Sequence, residues 1–199
     1  MAGSAERVPT LGAEAPDYWQ SRRDAVYLQR VAKLVQSVGC DARSILDVGS
    51  NRCPYLDWFE WIPRRVSVDL QAPYFSPTVE GIKADFLTWQ AGEKFDLCLC
   101  LQVLEHVPDA GAFSRKLLAS ANRVIVSVPY LWSGSCKYHV HDPVDDAKIA
   151  AWFEREPDVS IVVTEIPTKD NPRGVRRMIC YFNCLPQGGS RPPGRWQQN

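Results

Sequence analysis

The chain has 199 residues, 45% of them apolar and 23% charged, which suits a single globular domain with one substantial core. Basic and acidic residues balance at 23 each, so no global field favours nucleic acid or an anionic membrane. Seven cysteines without a Cys-x-x-Cys pair fit reduced thiols in a cytosol better than a disulfide framework or a structural zinc site. With no signal-type N-terminus and no apolar run of about 18 residues, the sequence predicts a cytoplasmic protein; oligomeric state stays open.

In chain order, residues 1–15 are small, charged and Pro- or Gly-containing, and are expected as a flexible tail. A helix is predicted from Asp17, its N-cap, to a stop at Gly39, with Val26, Tyr27, Val31, Leu34, Val35 and Val38 on one stripe. Ser44-Ile-Leu-Asp-Val-Gly-Ser-Asn51 follows as a short apolar strand running through Asp47 into a tight turn at Gly49. Cys53–Trp61 reads as a short aromatic helix with Pro54 in its first turn, stopped by Pro63. Val66–Leu70 and Val79–Ala84 are predicted strands ending near Asp69 and Asp85, with a Pro-containing loop between them.

Phe95–Leu101 is the most hydrophobic strand, and Gln102–Val107 turns out of it. A helix is predicted from about Asp109 to Ala121, then a strand over Val124–Val128. Tyr130–His141 is an aromatic, Ser- and Gly-containing loop. Asp142-Pro143 is read as N-cap and first position of a helix reaching Arg155, with Asp145 in its first turn. Val159–Ile166 and Val175–Phe182 form a terminal hairpin, and residues 186–199 a second tail. Five strands alternating with helices or crossovers, then a hairpin, predict an α/β fold: a Rossmann-like doubly wound sheet, mostly parallel with an antiparallel terminal strand, and helices on both faces.

Leu46-Asp-Val-Gly49, Val68-Asp69, Ala84-Asp85-Phe86, Phe95-Asp96 and Val103-Leu-Glu-His-Val107, in that order, resemble the class I S-adenosylmethionine-dependent methyltransferases. The likeness is to the small-molecule branch with a leu-glu-his turn after its fourth strand, and it spans residues 17–183. It implies S-adenosylmethionine as cofactor and a small-molecule acceptor as partner. Asp47, Gly49, Ser50 and Asn51 would face the cofactor's methionine part, Asp69 and Leu70 its ribose, and Asp85 and Phe86 its adenine. Leu101 and Gln102 would lie near its amino-acid end. Elementary chemistry agrees at several points: Gly49 permits close backbone approach, Asp47 suits an ammonium, and a strand-end carboxylate such as Asp69 suits two hydroxyls.

The loop after the fifth strand brings His139 and His141 towards the same sheet edge. A neutral imidazole beside a bound hydroxyl or amine could take its proton, which makes both candidate catalytic residues; His141 and Asp142 could equally just organise the next helix. Two histidines with no matching carboxylate do not make a metal site, and none is predicted. Trp19, Tyr130, Trp132 and Tyr138 are candidate lining residues for an apolar acceptor, or packing residues. The family's first motif carries three alternate glycines; here Asn51 and Cys53 replace the second and third. Asn tolerates positive φ, so the turn can survive. A degenerate motif would instead suit a non-catalytic binding or scaffold protein on the same fold.

Overall fold

Ile45, Leu46, Asp47 and Val48 are all buried, as expected of a strand covered on both faces. In the computed structural model, which describes residues 6–7, 24–132, 136–167, 169 and 173–185, this strand is central. The strands are β1 (Glu6–Arg7), β2 (Ser44–Val48), β3 (Arg64–Asp69), β4 (Glu80–Lys83), β5 (Leu97–Leu101), β6 (Arg123–Pro129), β7 (Val159–Thr164) and β8 (Arg176–Asn183). The helices are α1 (Val26–Val38), α2 (Ala110–Ser120) and α3 (Asp146–Phe153). One-turn 3-10 segments stand at Pro54–Trp58 and Leu104–His106.

The eight strands form one sheet in the order β1-β4-β3-β2-β5-β6-β8-β7. From β4 to β6 the pairings are parallel; β1, β8 and β7 join antiparallel. Leu46 of β2 lies opposite Val66 of β3 and Cys98 of β5. The chain leaves β2 towards β3 on one side and returns to β5 on the other. The crevice beyond the carboxyl ends of β2 and β5 is therefore the topological switch point, where open α/β sheets receive ligands.

Apolar side chains collect in one cluster on each face of the sheet. On one face Tyr27, Leu28, Val31 and Val35 of α1 pack with Tyr55, Leu56 and Phe59 of the aromatic segment against Ile45, Leu97 and Leu99. On the other, Phe113 and Leu117 of α2 and Ile149 and Phe153 of α3 cover Leu46, Cys98, Cys100 and Val126. Each fully buried Leu, Ile, Val or Phe contributes roughly 1.5–3 kcal/mol. All seven cysteines are free thiols, and burial pushes Cys53 up to about 12.

Several boundaries differ from expectation for identifiable reasons. Asp17, the predicted start of the first helix, lies outside the described residues, as do Trp19, residues 186–199 and all of 1–15 except Glu6–Arg7. Those two residues pair with Lys83 and Ile82 as an edge strand. The α1 helix begins at Val26 without a local side-chain cap. Glu165, 139 residues away, supplies one instead: the Val26 and Tyr27 amides donate to its carboxylate at 2.7 and 3.1 Å. The helix expected to start at Pro143 starts at Asp146, capped by Asp145, which accepts from the Lys148 amide at 2.9 Å. Asp142 is not the cap, because its carboxylate is engaged by His139.

Candidate functional site

A cavity of about 500 Å³ opens at the switch point, within the usual range for a small-molecule site. Its walls come from the ends of four parallel strands and the turns that follow them. Gly49 and Asn51 follow β2, Asp69 and Leu70 end β3, and Asp85 and Phe86 follow β4. Gln102, Val103 and His106 follow β5.

The β2 turn is built from left-handed backbone. Gly49 has φ +80°, and a Cβ there would lie 2.5 Å from Cγ2 of Val103, so only glycine fits. Asn51 has φ 44° and Arg52 φ 62°, so Asn51 adopts the left-handed conformation that its type tolerates. The Asn51 amide donates to Asp69 Oδ2 at 2.9 Å, and the Gln71 and Ala72 amides donate to Oδ1 at 2.8 Å each. Asp69 thus ties the two turns together while bordering the cavity; Oδ1 is filled by its two amides, and Oδ2 keeps a further lone pair for a ligand hydroxyl.

The other sequence candidates divide between this cavity and its surroundings. Leu70 is 63% exposed at the rim. Asp85 accepts from the Leu87 amide at 2.9 Å, and Phe86 packs on Phe113 with ring centroids 4.9 Å apart. Gln102, at φ 58°, donates to Ser127 Oγ at 3.1 Å and accepts from Arg177 Nε at 3.0 Å. Asp47, Ser50 and Leu101 border a separate space of about 20 Å³ behind Gly49, shared with Tyr27, Cys53 and Tyr55. Ser50 is buried there, accepting from Ser67 Oγ at 2.7 Å and the Tyr74 amide at 2.9 Å. Burial, and then the Asp69 charge, push Asp47 up to about 7.

His139 and His141 do not border the 500 Å³ cavity; His106 does. Nε2 of His141 donates to the Val107 carbonyl at 2.8 Å, and its ring packs edge-on against Trp152. His139 Nδ1 pairs with Asp142 Oδ2 at 2.8 Å, and its ring stacks on Trp132. Tyr138 is 71% exposed. Trp132 donates to the Arg176 carbonyl at 2.8 Å and Tyr130 to Asp146 at 2.9 Å, and none of these aromatics lines the cavity.

Two further contributors stand out, of which Arg177 left no signal in the sequence. Arg177 is 8% exposed, pairs with Glu165 at 3.1 Å, and lies over the Tyr27 ring, so it links Gln102 at the cavity to the start of α1. Glu105 is buried, its Oε2 has no hydrogen-bond partner, and burial raises it to about 8. Its donor atoms lie with those of His106 and His139 in a group no more than 4.8 Å across. The leu-glu-his turn was a signal for Glu105 and His106; that His139 joins them follows only from the loop's path.

Neither protein-family models nor curated proteins match the sequence. Solved structures do. The 1,6-didemethyltoxoflavin-N1-methyltransferase of Burkholderia thailandensis, with bound 1,6-didemethyltoxoflavin and S-adenosylhomocysteine, superposes with a TM-score of 0.62 at 16% identity. The match covers 90% of this chain and 95% of that one. The N-methyltransferase NodS from Bradyrhizobium japonicum, in complex with S-adenosylhomocysteine, gives 0.58 at 12% identity over 86% and 92%. The methyltransferase domain of bacterial CtHen1 gives 0.57 at 14% over 81% and 98%. The chain has the class I S-adenosylmethionine-dependent methyltransferase fold. As expected from the sequence, its sheet is Rossmann-like and mostly parallel, with antiparallel strands at its end. Among the described residues, no helix is long and apolar enough to cross a membrane.

Proposed function

We propose that the chain is a methyltransferase that binds S-adenosylmethionine in the 500 Å³ cavity and methylates an oxygen, nitrogen or carbon of a small-molecule acceptor, in the cytoplasm. The observation that carries this reading is the convergence of Gly49, Asn51, Asp69, Asp85, Phe86 and Gln102 on one cavity, with Asn51 in a left-handed conformation that favours glycine. The residues fit the cofactor. A Cβ at Gly49 would collide with Val103 in the cavity wall, and Asp69 Oδ2 keeps acceptor capacity for a ribose hydroxyl. Phe86 gives an apolar face beside the Asp85 carboxylate for adenine, and Asp47 lies beside Gly49 as a second carboxylate at the turn, suited to an ammonium.

When bound, the cofactor supplies an electrophilic methyl group on a sulfonium. The chain's own contribution is then mainly positional. Strand-end turns hold the cavity wall fixed, and Gln102 is clamped between Ser127 and Arg177. Proximity and orientation of this kind account for about 7–11 kcal/mol of a barrier in favourable cases. His139 and His141 do not border the cavity, so neither is assigned as general base.

Thermal unfolding with S-adenosylhomocysteine tests the reading. At about 100 times Kd the product should stabilise the fold by about 2.7 kcal/mol. Asp69→Asn, which keeps one acceptor oxygen for the turn, should lose much of that gain. No stabilisation of the wild type at millimolar ligand would favour a scaffold protein on this fold.

A further inference from the structure

We infer that Glu105, His106 and His139 form a binding site for one divalent transition-metal ion beside the cavity. Their candidate donor atoms lie within 4.8 Å of one another, and Glu105 Oε1 stands 3.9 Å from His106 Nε2. The two rings meet edge to face, with centroids 4.8 Å apart.

Hydrogen bonding sets which nitrogens keep a lone pair for a metal. His106 Nδ1 is 2.9 Å from the Tyr138 carbonyl, an acceptor only, so this nitrogen carries the proton and Nε2 carries the lone pair. His139 Nδ1 is likewise bound to the Asp142 carboxylate at 2.8 Å, which leaves its Nε2. Metal-ligating imidazoles are held in this way, with the second nitrogen donating to a carbonyl or a carboxylate. A second observation points to a cation: the Glu105 side chain is 1% exposed and that of Asp142 5%, yet Glu105 Oε2 and Asp142 Oδ1 have no hydrogen-bond partner. Buried carboxylate oxygens without partners are costly, and a bound cation relieves the cost. The neighbouring guanidinium of Arg177 is already engaged by Glu165 and Gln102.

Two imidazoles and one carboxylate favour zinc, manganese, iron or cobalt over the all-oxygen preference of calcium and magnesium. An ion about 2.1 Å from each donor requires the group to close by about 1 Å. The His106 side chain, 41% exposed, has room to make that movement. Three protein ligands would leave at least one position open for water or another lone-pair-bearing group, and His106 borders the cavity.

Co2+ is the probe. Chelator-treated protein titrated with Co2+ should develop weak visible bands at one equivalent, without the near-ultraviolet charge transfer that thiolate ligation by any of the seven free cysteines would give. His106→Ala, at an exposed position, should weaken binding by about 100-fold or more, and Asp142→Asn by about 10- to 100-fold. His141→Ala should leave it unchanged. Circular dichroism of each variant separates loss of metal from loss of fold. No binding, thiolate-type bands, or binding that survives His106→Ala would overturn the proposal. Asp69→Asn should leave the Co2+ titration intact, so this inference and the cofactor reading fail independently.

Discussion

Gly49→Ala is the most informative single perturbation of the β2 turn. The new methyl carbon would stand 2.5 Å from Cγ2 and 3.1 Å from Cγ1 of Val103, and alanine would have to keep φ near +80°. The backbone share costs about 1–2 kcal/mol, the penalty of left-handed conformation for a residue with a Cβ. Overpacking costs typically about 1–3 kcal/mol more. The sum, about 2–5 kcal/mol, is a large part of a domain's stability. Denaturant unfolding would measure it, and a double-mutant cycle with Val103→Ala would separate the shares. In the Val103→Ala background the overpacking share should disappear and the backbone share persist. Because Val103 lines the cavity, Gly49→Ala should also weaken S-adenosylhomocysteine binding, and the double variant should recover part of the loss. A cost below about 0.5 kcal/mol, or no coupling to Val103, would refute this description of the turn.

Asp47 gives a pH prediction. Its pKa rises from 3.8 to about 7 on folding, so the folded state binds the proton more tightly. Stability from this group is therefore fullest below pH 4, declines as pH rises towards 7, and is level above; Asp47→Asn should remove that decline, by at most roughly 4 kcal/mol at pH 8. If the carboxylate receives the cofactor's ammonium, S-adenosylmethionine affinity should rise with pH up to about 7 in the wild type and not in Asp47→Asn. Glu165→Ala removes the acceptor of two α1 amides and the partner of Arg177, and denaturant titration should show a loss of about 3–5 kcal/mol. Asp145→Ala should cost about 1 kcal/mol as a lost helix cap, whereas Asp142→Ala should not act through α3.

What the sequence made legible was local. Apolar runs located β2, β3 and β5, the first two with an acid at or near their ends, and the α1 stripe was visible because Tyr27, Val31 and Val35 recur at helical spacing. Asn51 could be predicted to accept positive φ because its side chain tolerates that region. What escaped depends on partners remote in sequence. Two residues, Glu6 and Arg7, are too few to show strand periodicity, so their pairing with β4 left no signal. Asp142-Pro143 satisfies the local rule for a helix start, but His139 claims the carboxylate and the cap falls to Asp145. The cap of α1 arrives from Glu165 across the sheet. His139 meets the carboxylates of Glu105 and Asp142 only in the fold, and of these Glu105 is 34 residues away in the sequence.

The central claim is that the cavity at the β2–β5 switch point holds S-adenosylmethionine. Calorimetric titration of the wild-type chain with S-adenosylmethionine at pH 8, above the raised pKa of Asp47, tests it most directly. The account predicts saturable binding at one equivalent, weakened in Asp69→Asn. An absence of heat at millimolar cofactor, or binding indifferent to Asp69, would contradict it.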